Sequence, residues 1–77
     1  MNKNRKWLTD IRNDLGLTHQ EVAERAQIDR SFYTQIETGA RNPSVETAKK
    51  IAKALNFDWI IFFDLDSGER QQKVTSA

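Results

Sequence analysis

The chain has 77 residues, with 12 lysines and arginines against 11 aspartates and glutamates, a formal charge of +1 and no cysteine. This length supports one small core and excludes a disulfide framework or a thiolate zinc site, which leaves oligomerisation as the remaining way to reinforce so small a domain. No run of about 18 apolar residues is present to span a bilayer, and the N-terminus MNKNRKWLTD lacks the apolar centre of a signal peptide, so a reducing cytoplasm is the expected location.

Trp7, Leu8, Ile11 and Leu15 recur at intervals of three and four, which predicts a first helix from Asn4 to Leu15 that stops at Gly16. Thr18 and Glu21 then have the spacing of a capping box, in which hydroxyl and carboxylate satisfy helix-start amides reciprocally. A further start signal follows closely: Asp29 can cap a helix from Arg30 to about Thr38, and Gly39 stands where a left-handed residue would close it. Only Gln27 and Ile28 separate the two helices, so they must cross steeply. That geometry is helix-turn-helix. Val22, Ala23, Ala26, Ile28, Tyr33 and Ile36 are its expected interior, with Ala23 small enough for close approach.

Pro43 breaks the chain before Ser44, which can cap a fourth helix with Val45, Ala48, Ile51, Ala52 and Leu55 on the buried stripe and Lys49, Lys50 and Lys53 on a solvated face. Asp58 can cap a fifth, short helix of Trp59, Ile60, Ile61, Phe62 and Phe63, apolar on every side. A domain of this size cannot cover all of those faces itself. Some are expected in the core, and Trp59, Ile60 and Phe63 are the candidates for contact with a second copy. Residues 67–77, SGERQQKVTSA, have little apolar content and read as a flexible tail after a single domain over residues 1–66.

Charge is unevenly spread. Lys3, Arg5, Lys6 and Arg12 against Asp10 make residues 1–12 +3, whereas Asp58, Asp64, Asp66 and Glu69 against Arg70 and Lys73 make residues 54–77 −2. The expectation is a basic face toward nucleic acid and an acidic far side. On the outward side of the third helix, Arg30, Ser31, Thr34 and Gln35 fall together at helical spacing. Arg can donate twice to a guanine edge, Gln can pair with adenine through one donor and one acceptor, and short hydroxyls can reach bases or phosphates. This is a reading surface for double-stranded DNA.

The stretch LGLTHQEVAERA, then IDRSFYTQIETG, then ARNPS, resembles the Cro and lambdoid-repressor (Xre-like) family of helix-turn-helix domains, and similarity continues through SVETAKKIAKAL and FDWIIFF to cover roughly residues 5 to 64. The resemblance implies an all-α, compact five-helix fold whose third helix enters the major groove, usually in a homodimer on a two-fold-symmetric operator. By position it implies that Arg30, Ser31, Thr34 and Gln35 face bases or nearby phosphates, and that His19, Thr38 and Arg41 lie near the DNA backbone. Three positions depart from the family pattern. His19 replaces a common Gln, which weakens that contact or makes it pH-sensitive; Gln27 occupies a turn position often filled by Gly; Thr38 and Ala40 replace frequent basic or amide residues.

His19 is the only histidine and has no nucleophile or second metal ligand beside it in any motif, so neither catalysis, a metal nor a cofactor is expected. Two functions compete. The first is a sequence-specific transcriptional regulator, acting by occluding a promoter, by contact with RNA polymerase, or both; family members of this size resemble phage or mobile-element repressors, restriction-modification controllers and antitoxins. The second is a protein-interaction adaptor on the same fold. Phe32 favours the adaptor if its ring is an exposed anchor; the other readings are packing beside the turn, or contact with sugar and thymine methyl groups.

Overall fold

The computed structural model describes residues 4–66. They form five helices in the order α1 (Lys6–Asp14), α2 (His19–Ala26), α3 (Arg30–Thr38), α4 (Val45–Leu55) and α5 (Ile61–Asp66), with no strand among the described residues. The expected tail, residues 67–77, and Lys3 lie outside them.

Local chemistry sets most boundaries. Thr18 Oγ1 accepts from the Glu21 amide while Glu21 accepts from the Thr18 amide, completing the capping box that starts α2. Asp29 accepts from the Ser31 and Phe32 amides at the start of α3, and Ser44 accepts from the Thr47 amide at the start of α4. Gly39 closes α3 at φ 88° and Gly16 follows α1 at φ 70°. The turn between α2 and α3 places Gln27 at φ 61°, a conformation that costs a residue with a Cβ about 1 kcal/mol relative to glycine.

The core joins Leu8 of α1, Val22, Ala23 and Ala26 of α2, Tyr33 and Ile36 of α3, Ala48, Ile51 and Leu55 of α4, and Phe62 of α5. Fully burying each larger apolar side chain contributes about 1.5 to 3 kcal/mol, so this one cluster is the principal stabilising element. The two ends of the predicted stripes differ from expectation. Leu15 and Val45 are each 48% exposed, because one follows the last turn of α1 and the other opens α4, where the helix projects past the core. Leu17, in the irregular link after Gly16, is buried instead.

The final segment begins as a turn. Asp58 caps it by accepting from the Ile60 amide, and helical geometry starts at Ile61, two residues later than expected. Phe62 fills the core, edge-on to Trp7 at 5.0 Å between ring centroids. Trp59 is half-buried, and Lys49, exposed as expected of the solvated face of α4, places its ammonium 5.2 Å from the Trp59 ring centroid. Ile60 and Phe63 are exposed.

Candidate nucleic-acid interface

The inner side of α3 anchors the outer side. Glu37, 4% exposed, receives hydrogen bonds from Arg12 Nε (2.9 Å) and Nη2 (3.0 Å), from the Thr9 hydroxyl (2.7 Å) and from the Tyr33 hydroxyl one turn earlier. Burial alone would raise the Glu37 carboxyl, but the hydrogen bonds from Arg12, Tyr33 and Thr9 outweigh it and lower it from its ordinary 4.5 to about 2. Hydrogen bonding to Glu37 raises Arg12 in turn, and burial together with the bond to Glu37 raises Tyr33. Glu37 is therefore a carboxylate at neutral pH, and α1 and α3 are held together by a satisfied buried ion pair.

An ion partner for Glu37 is expected from Arg41 or from the basic N-terminal residues, and it is Arg12. Arg41 turns away, donating to the Gln35 side-chain oxygen at 2.9 Å and placing its guanidinium 5.7 Å from the Phe32 ring centroid. Arg5, expected on a basic DNA-facing surface, is 6% exposed. Its guanidinium donates to the carbonyls of Ile36 and Arg41 and to Asn42 Oδ1, fastening the segment after α3. Lys6 is exposed but pairs with Asp10 one turn on. The basic N-terminal face is thus corrected: Arg5 and Arg12 are interior struts, because a guanidinium fork suits several oxygens converging at one point. Isolated residue charges gave no sign of this, although Arg12 and Thr9 share a side of the first helix at spacing three.

On the outer side, Arg30 and Ser31 are exposed and Thr34 and Gln35 are half-buried, all on α3 as its periodicity requires. Gln35 has its carbonyl committed to Arg41 and its amide 3.4 Å from the Ser31 hydroxyl, so pairing with both atoms of an adenine edge requires the Arg41 contact to open. Thr38 is exposed and its hydroxyl donates to the Gln35 backbone carbonyl at 3.2 Å. Phe32 is half-buried, packs against the core and lies beside the Arg41 guanidinium.

His19 has a position that its place in the sequence does not disclose. It opens α2 but faces α3: Nδ1 lies 2.8 Å from Thr34 Oγ1, Nε2 lies 3.3 Å from Glu37 Oε2, and the ring meets Tyr33 edge-on at 5.4 Å between centroids. It therefore connects the buried carboxylate to a hydroxyl of the outer row.

Comparison with known proteins agrees with this geometry. A helix-turn-helix family model matches residues 8–61. The chain is 55% identical over 60 residues to the uncharacterized HTH-type transcriptional regulator YqaF of Bacillus subtilis, covering 78% of this chain and 79% of that protein. It is 38% identical over 56 residues to an HTH-type transcriptional regulator of Methanothermobacter thermautotrophicus, covering 73% and 81%. Among solved structures, the wild-type restriction-modification controller protein C.Esp1396I superposes with a TM-score of 0.68 at 25% identity, over 92% of each chain. The same controller bound to a 25 base pair operator site superposes at 0.67 and 26% identity, over 91% of this chain and 92% of that one. With its capped α2 and α3 crossing at a tight turn and a match over most of its length, the chain belongs to the Cro-like (Xre) helix-turn-helix family of DNA-binding transcriptional regulators.

Proposed function

We propose that this protein is a small prokaryotic or phage repressor or controller that binds a specific operator in double-stranded DNA as a homodimer, in the cytoplasm. The observation that carries the reading is the outer row of α3, where Arg30, Ser31, Thr34 and Gln35 stand on a helix whose opposite side is locked by the Glu37 network. A rigid helix presenting guanidinium, hydroxyl and amide groups suits the donor and acceptor code of the major groove. His19, Thr38 and Arg41 flank this row, with Arg41 exposed for a phosphate and Phe32 partly available beneath it. The operator-bound state of C.Esp1396I supports the same use of this fold.

Ile60 and Phe63, exposed, and the edge of Trp59 provide an apolar surface on which a second copy can pair, continuous with the core through Phe62. A two-fold dimer sets two recognition helices on successive major grooves, about 34 Å or 10 base pairs apart, on an inverted repeat. Selection from random duplexes is expected to return such a repeat, with affinity falling steeply as salt rises. Phe63→Glu is expected to yield a folded monomer in sedimentation that binds the operator at least about tenfold more weakly. A monomeric wild type that binds one asymmetric half-site at full affinity overturns the dimer, and salt-insensitive capture of protein without DNA selectivity points to the adaptor instead.

A further inference from the structure

A single hydroxyl of the outer row is tied to the interior. Thr34 Oγ1 meets His19 Nδ1 at 2.8 Å, and the other ring nitrogen stands 3.3 Å from Glu37 Oε2. A neutral imidazole has one N–H and one lone pair, and its surroundings choose which nitrogen carries the proton. A proton on Nε2 points positive charge at the ionised carboxylate, whereas a lone pair there would face a negative oxygen. The carboxylate therefore selects the Nε2–H form. Nδ1 is then an acceptor, so the Thr34 hydroxyl must donate its only proton inward to the ring, and what remains on its outward side is lone pairs.

We propose that His19 is a positioning residue that makes the Thr34 hydroxyl an obligate hydrogen-bond acceptor toward DNA, so that Thr34 selects a base whose major-groove edge offers an amino group. Those bases are adenine, through N6, and cytosine, through N4; guanine O6 and N7 and thymine O4 only accept, and a phosphate only accepts. Thr34 thereby discriminates against the DNA backbone as well as against the wrong edge, which an unrestrained hydroxyl, able to donate or accept, would not do. The inference rests on the proposed role of α3 in DNA reading. The groups facing the ring are Glu37 and Tyr33 from α3, with Arg12 of α1 behind the carboxylate. Protonating His19 places a proton on Nδ1 as well, turns Thr34 into the acceptor of that bond and releases its own proton outward.

Two measurements test this. Long-range proton–nitrogen correlation spectra of the free protein are expected to show the Nε2–H form; the Nδ1–H form overturns the proposal without reference to DNA. Selection on random duplexes is then compared for wild type, Thr34→Ser, Thr34→Val and His19→Leu, each with a melting curve. Wild type and Thr34→Ser are expected to prefer adenine or cytosine at one position by about fivefold or more, a preference that falls below about twofold in Thr34→Val and His19→Leu. Wild-type protein at a pH where the same spectra show the ring protonated is expected to lose that preference too, a comparison that needs no substitution. Selective DNA binding with an unchanged preference at every position in all these arms overturns the role of His19 alone, whereas absence of selective binding by wild type defeats the DNA reading itself.

Discussion

On its inner side α3 carries Tyr33 and Glu37 into a space shared with Arg12, Thr9 and His19; on its outer side it carries Arg30, Ser31, Thr34 and Gln35 at or near the surface. Both rows are rich in polar groups. Among the described residues every buried side-chain nitrogen or oxygen has a partner, so a change on the inner row leaves charges and dipoles stranded away from water. Outer-row groups keep access to solvent, and their loss is compensated by water until DNA replaces it. The same helix thus separates stability from recognition by orientation alone.

The largest break in this comparison is expected from Glu37→Gln. Lowering the carboxyl from 4.5 to about 2 corresponds to about 3 kcal/mol of stability, and denaturant unfolding should lose about that much, with base preference altered far less. The sign is fixed by the direction of the shift. Because the folded value is the lower one, the contribution is complete above pH 4.5 and disappears as pH falls toward 2, so wild type should lose stability over that window and Glu37→Gln much less. A shifted DNA motif with unchanged melting would reverse the assignment.

Arg5→Ala sharpens the point, since it tests a basic residue that looks like a phosphate contact by sequence. It removes donors from the carbonyls of Ile36 and Arg41, and an unfolding free energy lower by about 2 to 3 kcal/mol is expected. Salt dependence of DNA binding should keep its slope. A flatter slope with unchanged unfolding would return Arg5 to the DNA surface.

For the outer row, Arg30→Ala and Gln35→Ala are each expected to cost about 1 to 3 kcal/mol on the preferred sequence, to relax selectivity at one position and to leave melting nearly unchanged. Equal losses on preferred and random DNA would mean that these side chains act only as charge or support. The smallest effect belongs to the turn that orients both rows. Gln27→Gly relieves the left-handed backbone and should raise stability by about 1 kcal/mol or less in thermal unfolding, with operator affinity unchanged.

Much of this arrangement is legible without coordinates. Thr18 with Glu21, Asp29 and Ser44 announce helix starts because each cap bonds an amide two or three residues away, and Gly16 and Gly39 announce stops because a left-handed backbone is a property of one residue. Helical period then assigns the outer row of α3 and most of the core. Leu15, Val45 and Leu17 are missed at the margins, where periodicity gives no information on how far a neighbouring helix extends.

By itself, then, the sequence determined the five helices, the short capped link between α2 and α3 and which side chains α3 turns outward, since these follow from interactions within a turn or two of chain. Only the tertiary structure decided what the polar residues do: Arg12 reaches Glu37 across 25 residues, Arg5 reaches Asn42 across 37, and His19 reaches Thr34 across 15. A cation drawn into a ring of oxygens and a cation left free on the surface have the same appearance in a sequence. Their difference lies in the desolvation and hydrogen bonding that appear when distant helices pack.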